Sequence, residues 1–133
     1  ELPALDGSSV ARKSCDGRVQ VINFWATWCA PCRREIPVLQ ALREEFGTQR
    51  VEVLGIALDE PEAVRKYVGE MGIDYPILLA SMSDFSLMRA YGNDRDALPF
   101  TVIVDARGRL HTRKLGEYHE GDLRADIQAA LAL

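Results

Sequence analysis

The feature that most constrains this chain is a nearly continuous apolar run, Val19-Gln20-Val21-Ile22-Asn23-Phe24-Trp25. A strand that is apolar at successive positions is buried on both faces, so its sheet must be covered on two sides. A helical stretch from about Pro31 to Phe46 follows, with Ile36, Leu39, Leu42 and Phe46 on one face and Gly47 as its stop. Pro37 inside that stretch predicts a kink. The alternation continues. Val51 to Leu58 reads as a second strand. Asp59-Glu60-Pro61 opens a helix with Val64, Tyr67, Val68 and Met71 on its apolar face, Asp59 as N-cap and Pro61 early in the helix. Ile77-Leu78-Leu79 reads as a short strand. Asp84 to Tyr91 reads as a short helix stopped by Gly92-Asn93. Phe100 to Val104 and Leu110 to Leu115 form a hairpin across the turn Ala106-Arg107-Gly108. A last helix runs from about Gly121 to Leu131, with Leu123, Ile127, Ala130 and Leu131 inward. The stretch through Cys15 reads as a small hairpin or loop. Strands alternating with helices predict an α/β fold with a central mixed sheet flanked by helices.

With 133 residues, 47% of them hydrophobic and 27% charged, the chain has the makings of one globular domain with a real core, and disorder is excluded by that apolar content. A net charge of −4 argues against nucleic-acid binding. No apolar stretch approaches the about 20 residues that span a bilayer. No secretory signal is visible, although the chain opens abruptly at Glu1, as a processed or trimmed chain would. Nothing in the sequence demands more than a monomer.

The chemistry gathers at Trp28-Cys29-Ala30-Pro31-Cys32, where the buried strand gives way to the helix. Two thiols at this spacing in a first helical turn close a disulfide with little backbone movement. The free N–H groups and dipole of the helix N-terminus stabilise a thiolate on the first cysteine, so Cys29 is the candidate nucleophile. Cys32, one turn deeper, suits the resolving role. Half a zinc site is the competing reading, but a closed site needs four ligands. Cys15, His111 and His119 offer no paired spacing, so no metal is assigned. Transient Cu(I) binding by the two soft thiolates is a further alternative. Glu35 follows Cys32 by three residues and shares its helical face. Burial that raises its pKa would let it take the Cys32 proton, whereas in solvent it would be an ordinary acid near a helix start. Arg33 and Arg34 read as a solvated face, Phe24 and Trp25 as core, and Cys15 as a small inert residue. His111 and His119 receive no catalytic role.

The segment from Phe24 to Pro37 resembles the active-site segment of the thioredoxin superfamily, and most closely its TlpA/ResA-like branch of bacterial thiol-disulfide oxidoreductases. The similarity extends over nearly the whole chain. The stretch from Val51 to Leu79 resembles the strand-helix unit which that branch inserts into a minimal thioredoxin. Ala97-Leu98-Pro99-Phe100-Thr101-Val102-Ile103-Val104-Asp105 is similar to the family's cis-proline segment, and Gly116 stands where the family usually has a glycine. The resemblance implies a cis Leu98–Pro99 bond beside the cysteine pair, and a docking surface of Trp28, Ala30, Pro31, Leu98 and Pro99. It also leaves the Leu98 backbone free to pair with an extended substrate. Typical thioredoxins carry a buried Asp on the central strand. Here that position is Asn23, which cannot titrate, and ResA-like proteins resemble this arrangement with a Glu in the helix instead.

The resemblance implies a disulfide reductase that uses its own cysteines and no bound cofactor, outside the cytoplasmic membrane of a bacterium. Its clients would be oxidised protein thiols, such as cytochrome c or its maturation factors and copper-site assembly proteins. A membrane thiol transporter would be the electron donor. The cytochrome c maturation subgroup often shows Gly-Val-x-Gly-x-Pro-Glu at the cis-proline. Asn93-Asp94-Arg95-Asp96-Ala97-Leu98-Pro99-Phe100 departs from it, which favours a more general TlpA-like reductase. Two alternatives remain in view: a thiol peroxidase, although no Pro-x-x-x-Thr-x-x-Cys pattern leads to Cys29, and a copper-handling or cytochrome-assembly factor holding metal or clients through the same thiols.

Overall fold

The computed structural model describes residues 2–3, 9–10, 17–80 and 97–133. Cys15 and the helix expected from Asp84 to Tyr91 lie outside the described residues. The N-terminal stretch contributes β1 (Leu2–Pro3) and β2 (Ser9–Val10), which pair antiparallel. Then come β3 (Val19–Trp25), α1 (Ala30–Phe46), β4 (Val51–Leu58), α2 (Pro61–Met71) and β5 (Ile77–Ala80). After residue 97 follow β6 (Phe100–Val104), β7 (Leu110–Leu115) and α3 (Glu120–Leu131). The main sheet has the order β5-β4-β3-β6-β7. β3 is parallel to β4, and β4 to β5, whereas β6 is antiparallel to both β3 and β7.

Every residue of β3 and of β4 is buried, as the continuous apolar runs require. Alternation splits each strand between two clusters. Val19, Val21 and Trp25 join Val51, Val53 and Ala57 beneath Ile36, Leu39 and Leu42 of α1, Val64 of α2, and Leu123 and Ile127 of α3. Ile22 and Phe24 join Leu54, Ile56, Leu58, Phe100, Val102 and Val104 on the opposite face. α1, α2 and α3 thus cover one side of the sheet, and the cysteines, which belong to the first cluster, lie on that side.

α1 continues through Pro37, which sits on an exposed side of the helix. Two details differ from the sequence reading. The N-cap of α2 is Glu60 rather than Asp59, and it makes no side-chain capping bond. Asp59 instead turns its carboxylate toward the loop that follows β3. Met71, expected on the apolar face of α2, is 48% exposed, because the face that meets the sheet narrows to Val64, Tyr67 and Val68.

Candidate active site

Cys29 is the N-cap of α1, with extended backbone at φ −96° and ψ 109°. Its Sγ accepts the backbone N–H of Cys32 at 3.3 Å. That satisfies one of the helix's orphan donors and puts the sulfur where a developing negative charge is favoured. The two cysteines form a disulfide with a Cα–Cα separation of 5.2 Å. Both are buried, Cys29 keeping 6% of its surface and Cys32 none. Between them Ala30 is exposed and Pro31 half-buried in the first turn, where its missing N–H costs the helix nothing. Trp28, just before the pair, is 60% exposed, so it stands on the surface rather than within the packing.

The Leu98–Pro99 peptide bond is cis. Pro99 is buried and leads directly into β6, whose first residue, Phe100, pairs with Phe24 near the end of β3. Because β6 runs antiparallel to β3, the start of β6 and the exit of β3 toward Cys29 lie at the same end of the sheet. The Pro99 carbonyl accepts the N–H of Gly116 at 2.9 Å. Gly116 has φ 95°, a left-handed conformation that disfavours any residue with a Cβ.

Glu35 is buried, with 1% of its surface exposed. Its Oε1 accepts from Asn23 Nδ2 at 3.0 Å, and its Oε2 accepts the backbone N–H of Tyr118 at 2.7 Å. Asn23 Nδ2 also donates to Thr101 Oγ1 at 3.0 Å. Burial pushes the Glu35 carboxyl up to about 7, against the two donated N–H groups and Lys114, which favour the carboxylate; Glu117 adds to the rise. The sequence identified Glu35 and Asn23. It gave no sign of Thr101 or of the Tyr118 N–H, which reach the site only because β6 pairs with β3 and because the chain turns at Gly116. Arg33 and Arg34 are exposed, as expected, but each is engaged: Arg33 with the Thr27 carbonyl and Arg34 with Glu117. His119 is exposed and His111 half-exposed.

The AhpC/TSA family matches residues 1–113. This chain belongs to that family. Among curated relatives it is similar to the thiol-disulfide oxidoreductase ResA of Halalkalibacterium halodurans, at 32% identity over 120 residues, covering 87% of this chain and 66% of the relative. It is also similar to the thiol:disulfide interchange protein HelX of Rhodobacter capsulatus, at 34% identity over 120 residues, covering 88% of this chain and 63% of the relative. The chain therefore spans about two thirds of the length of these relatives. The crystal structure of a thioredoxin-family thiol:disulfide interchange protein from Chlorobium tepidum superimposes with a TM-score of 0.85 at 27% identity, over 97% of this chain and 90% of that one. The fold is thioredoxin-like, and with its cysteine pair at the strand-helix junction this member of the AhpC/TSA family is a thiol-disulfide oxidoreductase.

Proposed function

We propose that the chain reduces protein disulfides outside the cytoplasmic membrane of a bacterium, with Cys29 as nucleophile, Cys32 as resolving thiol and Glu35 as proton acceptor. The observation that carries this reading is a buried carboxyl one helical turn beyond Cys32, bonded by Asn23 Nδ2 and the Tyr118 N–H, whose burial pushes its pKa up to about 7. A reductase cycle needs a base there near neutral pH, and an ordinary exposed glutamate would be too weak.

The cycle starts from the dithiol. The Cys29 thiolate attacks one sulfur of a client disulfide, and the other client sulfur leaves as a thiolate. Cys29 and the client are now joined by a mixed disulfide. Cys32 gives its proton to Glu35 and attacks Cys29 Sγ, expelling the second client thiolate. The client has gained two electrons, and the chain is left with the Cys29–Cys32 disulfide. Glu35 returns its proton to the departing thiolate or to solvent. A membrane thiol-transporting protein resets the pair by the reverse exchange. No cofactor or metal is needed for any step.

Trp28, Ala30, Pro31, Leu98 and Pro99 would form the docking surface. The exposed Trp28 indole supplies apolar area, and the backbone at Leu98 lines up beside an extended client segment as an added strand would. Location and donor rest on the resemblance to ResA-like proteins; among the described residues no helix is long and apolar enough to cross a membrane.

The test is the reduction potential of the Cys29–Cys32 pair, measured by equilibration in defined dithiol buffers. The scale runs from about −270 mV for thioredoxin to about −120 mV for a strong periplasmic oxidant. A value at the reducing end, together with reduction of a protein disulfide, supports the proposal. A value at the oxidising end overturns it in favour of disulfide formation or reshuffling.

A further inference from the structure

We infer that Asp59 is a positioning residue for Cys29, acting through the turn that joins β3 to α1. This inference deepens the proposed function and rests on Cys29 being the nucleophile.

The turn Ala26-Thr27-Trp28-Cys29 is closed by the Cys29 N–H donating to the Ala26 carbonyl at 3.3 Å. Its central residue Thr27 is held from two sides. The Thr27 N–H donates to Asp59 Oδ2 at 3.0 Å, and the Thr27 hydroxyl donates to the same oxygen. On the other side the Thr27 carbonyl accepts from Arg33 Nη1 at 2.7 Å. The next turn is tied too, because the Cys29 carbonyl accepts the Arg33 N–H at 3.1 Å. Both peptide planes that flank Thr27 are therefore fixed before the chain reaches Trp28 and Cys29.

The sheet register explains why Asp59 can do this. Trp25 pairs with Ala57 at the end of the parallel strands β3 and β4. Two residues further on, Thr27 and Asp59 continue that register after the backbone ladder has ended, and a side chain replaces the missing strand partner. Asp59 also accepts the Glu60 N–H through Oδ1 at 2.7 Å, at the start of α2. One carboxylate thus joins the first turn of α2 to the turn that presents the nucleophile. A carboxylate bonded two residues before Cys29 would by charge alone oppose a thiolate there, so its use here is geometric: it keeps Cys29 at the N-cap, where Sγ meets the Cys32 N–H.

The experiment compares Asp59→Ala with Asp59→Asn. Asn keeps one oxygen that accepts the Thr27 N–H, while it removes the charge and gives up the acceptor that now takes the Glu60 N–H. Two quantities are read on the reduced protein: the pH midpoint of Cys29 alkylation, and kcat/KM for reduction of insulin. Asp59→Ala is expected to lower kcat/KM about tenfold and to raise the alkylation midpoint above that of Asp59→Asn, because a loosened turn misplaces the sulfur. Asp59→Asn is expected to recover most of the rate. Thr27→Val removes the hydroxyl bond alone, and it carries the test if Asp59→Ala does not fold; a smaller shift in the same direction is expected. A wild-type midpoint and rate in Asp59→Ala, equal losses in Asp59→Ala and Asp59→Asn, or an unchanged Thr27→Val would each overturn the inference. The alkylation midpoint needs no client. If the wild-type chain fails to reduce insulin while Asp59→Ala still moves the midpoint, the proposed function falls and the positioning role stands.

Discussion

Asn23 Nδ2 donates to Glu35 Oε1 at 3.0 Å, tying the central strand of the sheet to the helix that carries both cysteines. The acid sits on the helix and its hydrogen-bond donor on the strand. Tyr118 supplies a second donor through its backbone N–H. Two such bonds favour the carboxylate, yet burial outweighs them and holds the carboxyl at about 7. The group is therefore poised to change charge in the pH range where thiol exchange takes place.

The first prediction concerns turnover. If Glu35 takes the Cys32 proton, resolution of the mixed disulfide should speed up as pH rises through about 7, as the carboxylate forms. Glu35→Gln removes that base. The reaction would then follow the thiol itself, whose ordinary pKa is about 8.5. Turnover at neutral pH should fall at least about tenfold, and more for a fully effective base. Gln should fit, because Asn23 can reverse its amide and accept where it now donates. Client reduction measured from pH 5 to 9 checks this; an unchanged profile reduces Glu35 to a buried structural acid.

The second prediction is a stability slope, and its sign follows from the raised pKa. Unfolded, Glu35 ionises near the ordinary 4.5; folded, it ionises near 7. Below pH 4.5 both states are protonated and the group has no effect. Between 4.5 and 7 the unfolded chain gives up its proton first, so stability falls as pH rises. Above 7 the full penalty applies, about 3 kcal/mol at 1.36 kcal/mol per pKa unit. Urea unfolding of wild type and Glu35→Gln at pH 5 and pH 8 should show the wild type losing stability relative to the variant. Parallel behaviour of the two proteins would contradict the raised pKa.

Much of this site was legible before any coordinates. Cys29 and Cys32 carry their own spacing, and the apolar run ending at Trp25 places them at a strand-helix junction. Glu35 was legible because a helix repeats its faces at three and four residues. The groups around it from distant sequence were not: Thr101, whose Oγ1 accepts from Asn23, and Tyr118, whose N–H donates to Glu35, are separated from Glu35 by 66 and 83 residues and reach the site only through sheet pairing and a turn. Asp59 illustrates a different loss. An Asp two residues before Pro61 has the pattern of an N-cap, and local chemistry alone cannot show that the turn after a neighbouring strand offers Thr27 as a better partner. Met71 had the right period but lay one turn beyond the contact with the sheet.

The third prediction orders the cysteines. Cys29 keeps a sliver of exposed surface at the N-cap, whereas Cys32 keeps none. Cys29→Ser should abolish disulfide reduction. Cys32→Ser should leave attack intact and block resolution, so a mixed disulfide with the client accumulates. Non-reducing electrophoresis after incubation with an oxidised protein client separates the two. Trapping by Cys29→Ser instead would reverse the assigned roles.

The last prediction concerns the packing beside this site. Gly55 pairs with Asn23 in the β3–β4 register, and it has no side chain to place against the aromatic groups around it. A Cβ there would lie 2.7 Å from Ile77 Cδ1, 3.1 Å from Trp25 Nε1 and 3.2 Å from Tyr75 Cε1. Ile77 Cδ1 is the end of a flexible side chain and can move. Trp25 and Tyr75 are large buried rings, and Trp25 is further wedged against Tyr67 at a centroid distance of 5.7 Å. Among the described residues neither Trp25 Nε1 nor the Tyr75 hydroxyl has a hydrogen-bond partner, and overpacking is what would disturb these rings. Ala is otherwise the better strand residue, since it loses less chain entropy on folding. Sterics should win: Gly55→Ala is expected to destabilise by about 1–3 kcal/mol. Gly69 supplies the contrast. It lies exposed within α2, and a Cβ there meets nothing within 4 Å. Gly69→Ala should stabilise by about 0.5–1 kcal/mol through the same entropy. Denaturant midpoints of the two variants should move in opposite directions from wild type, and a stabilised Gly55→Ala would show that the rings around it can yield.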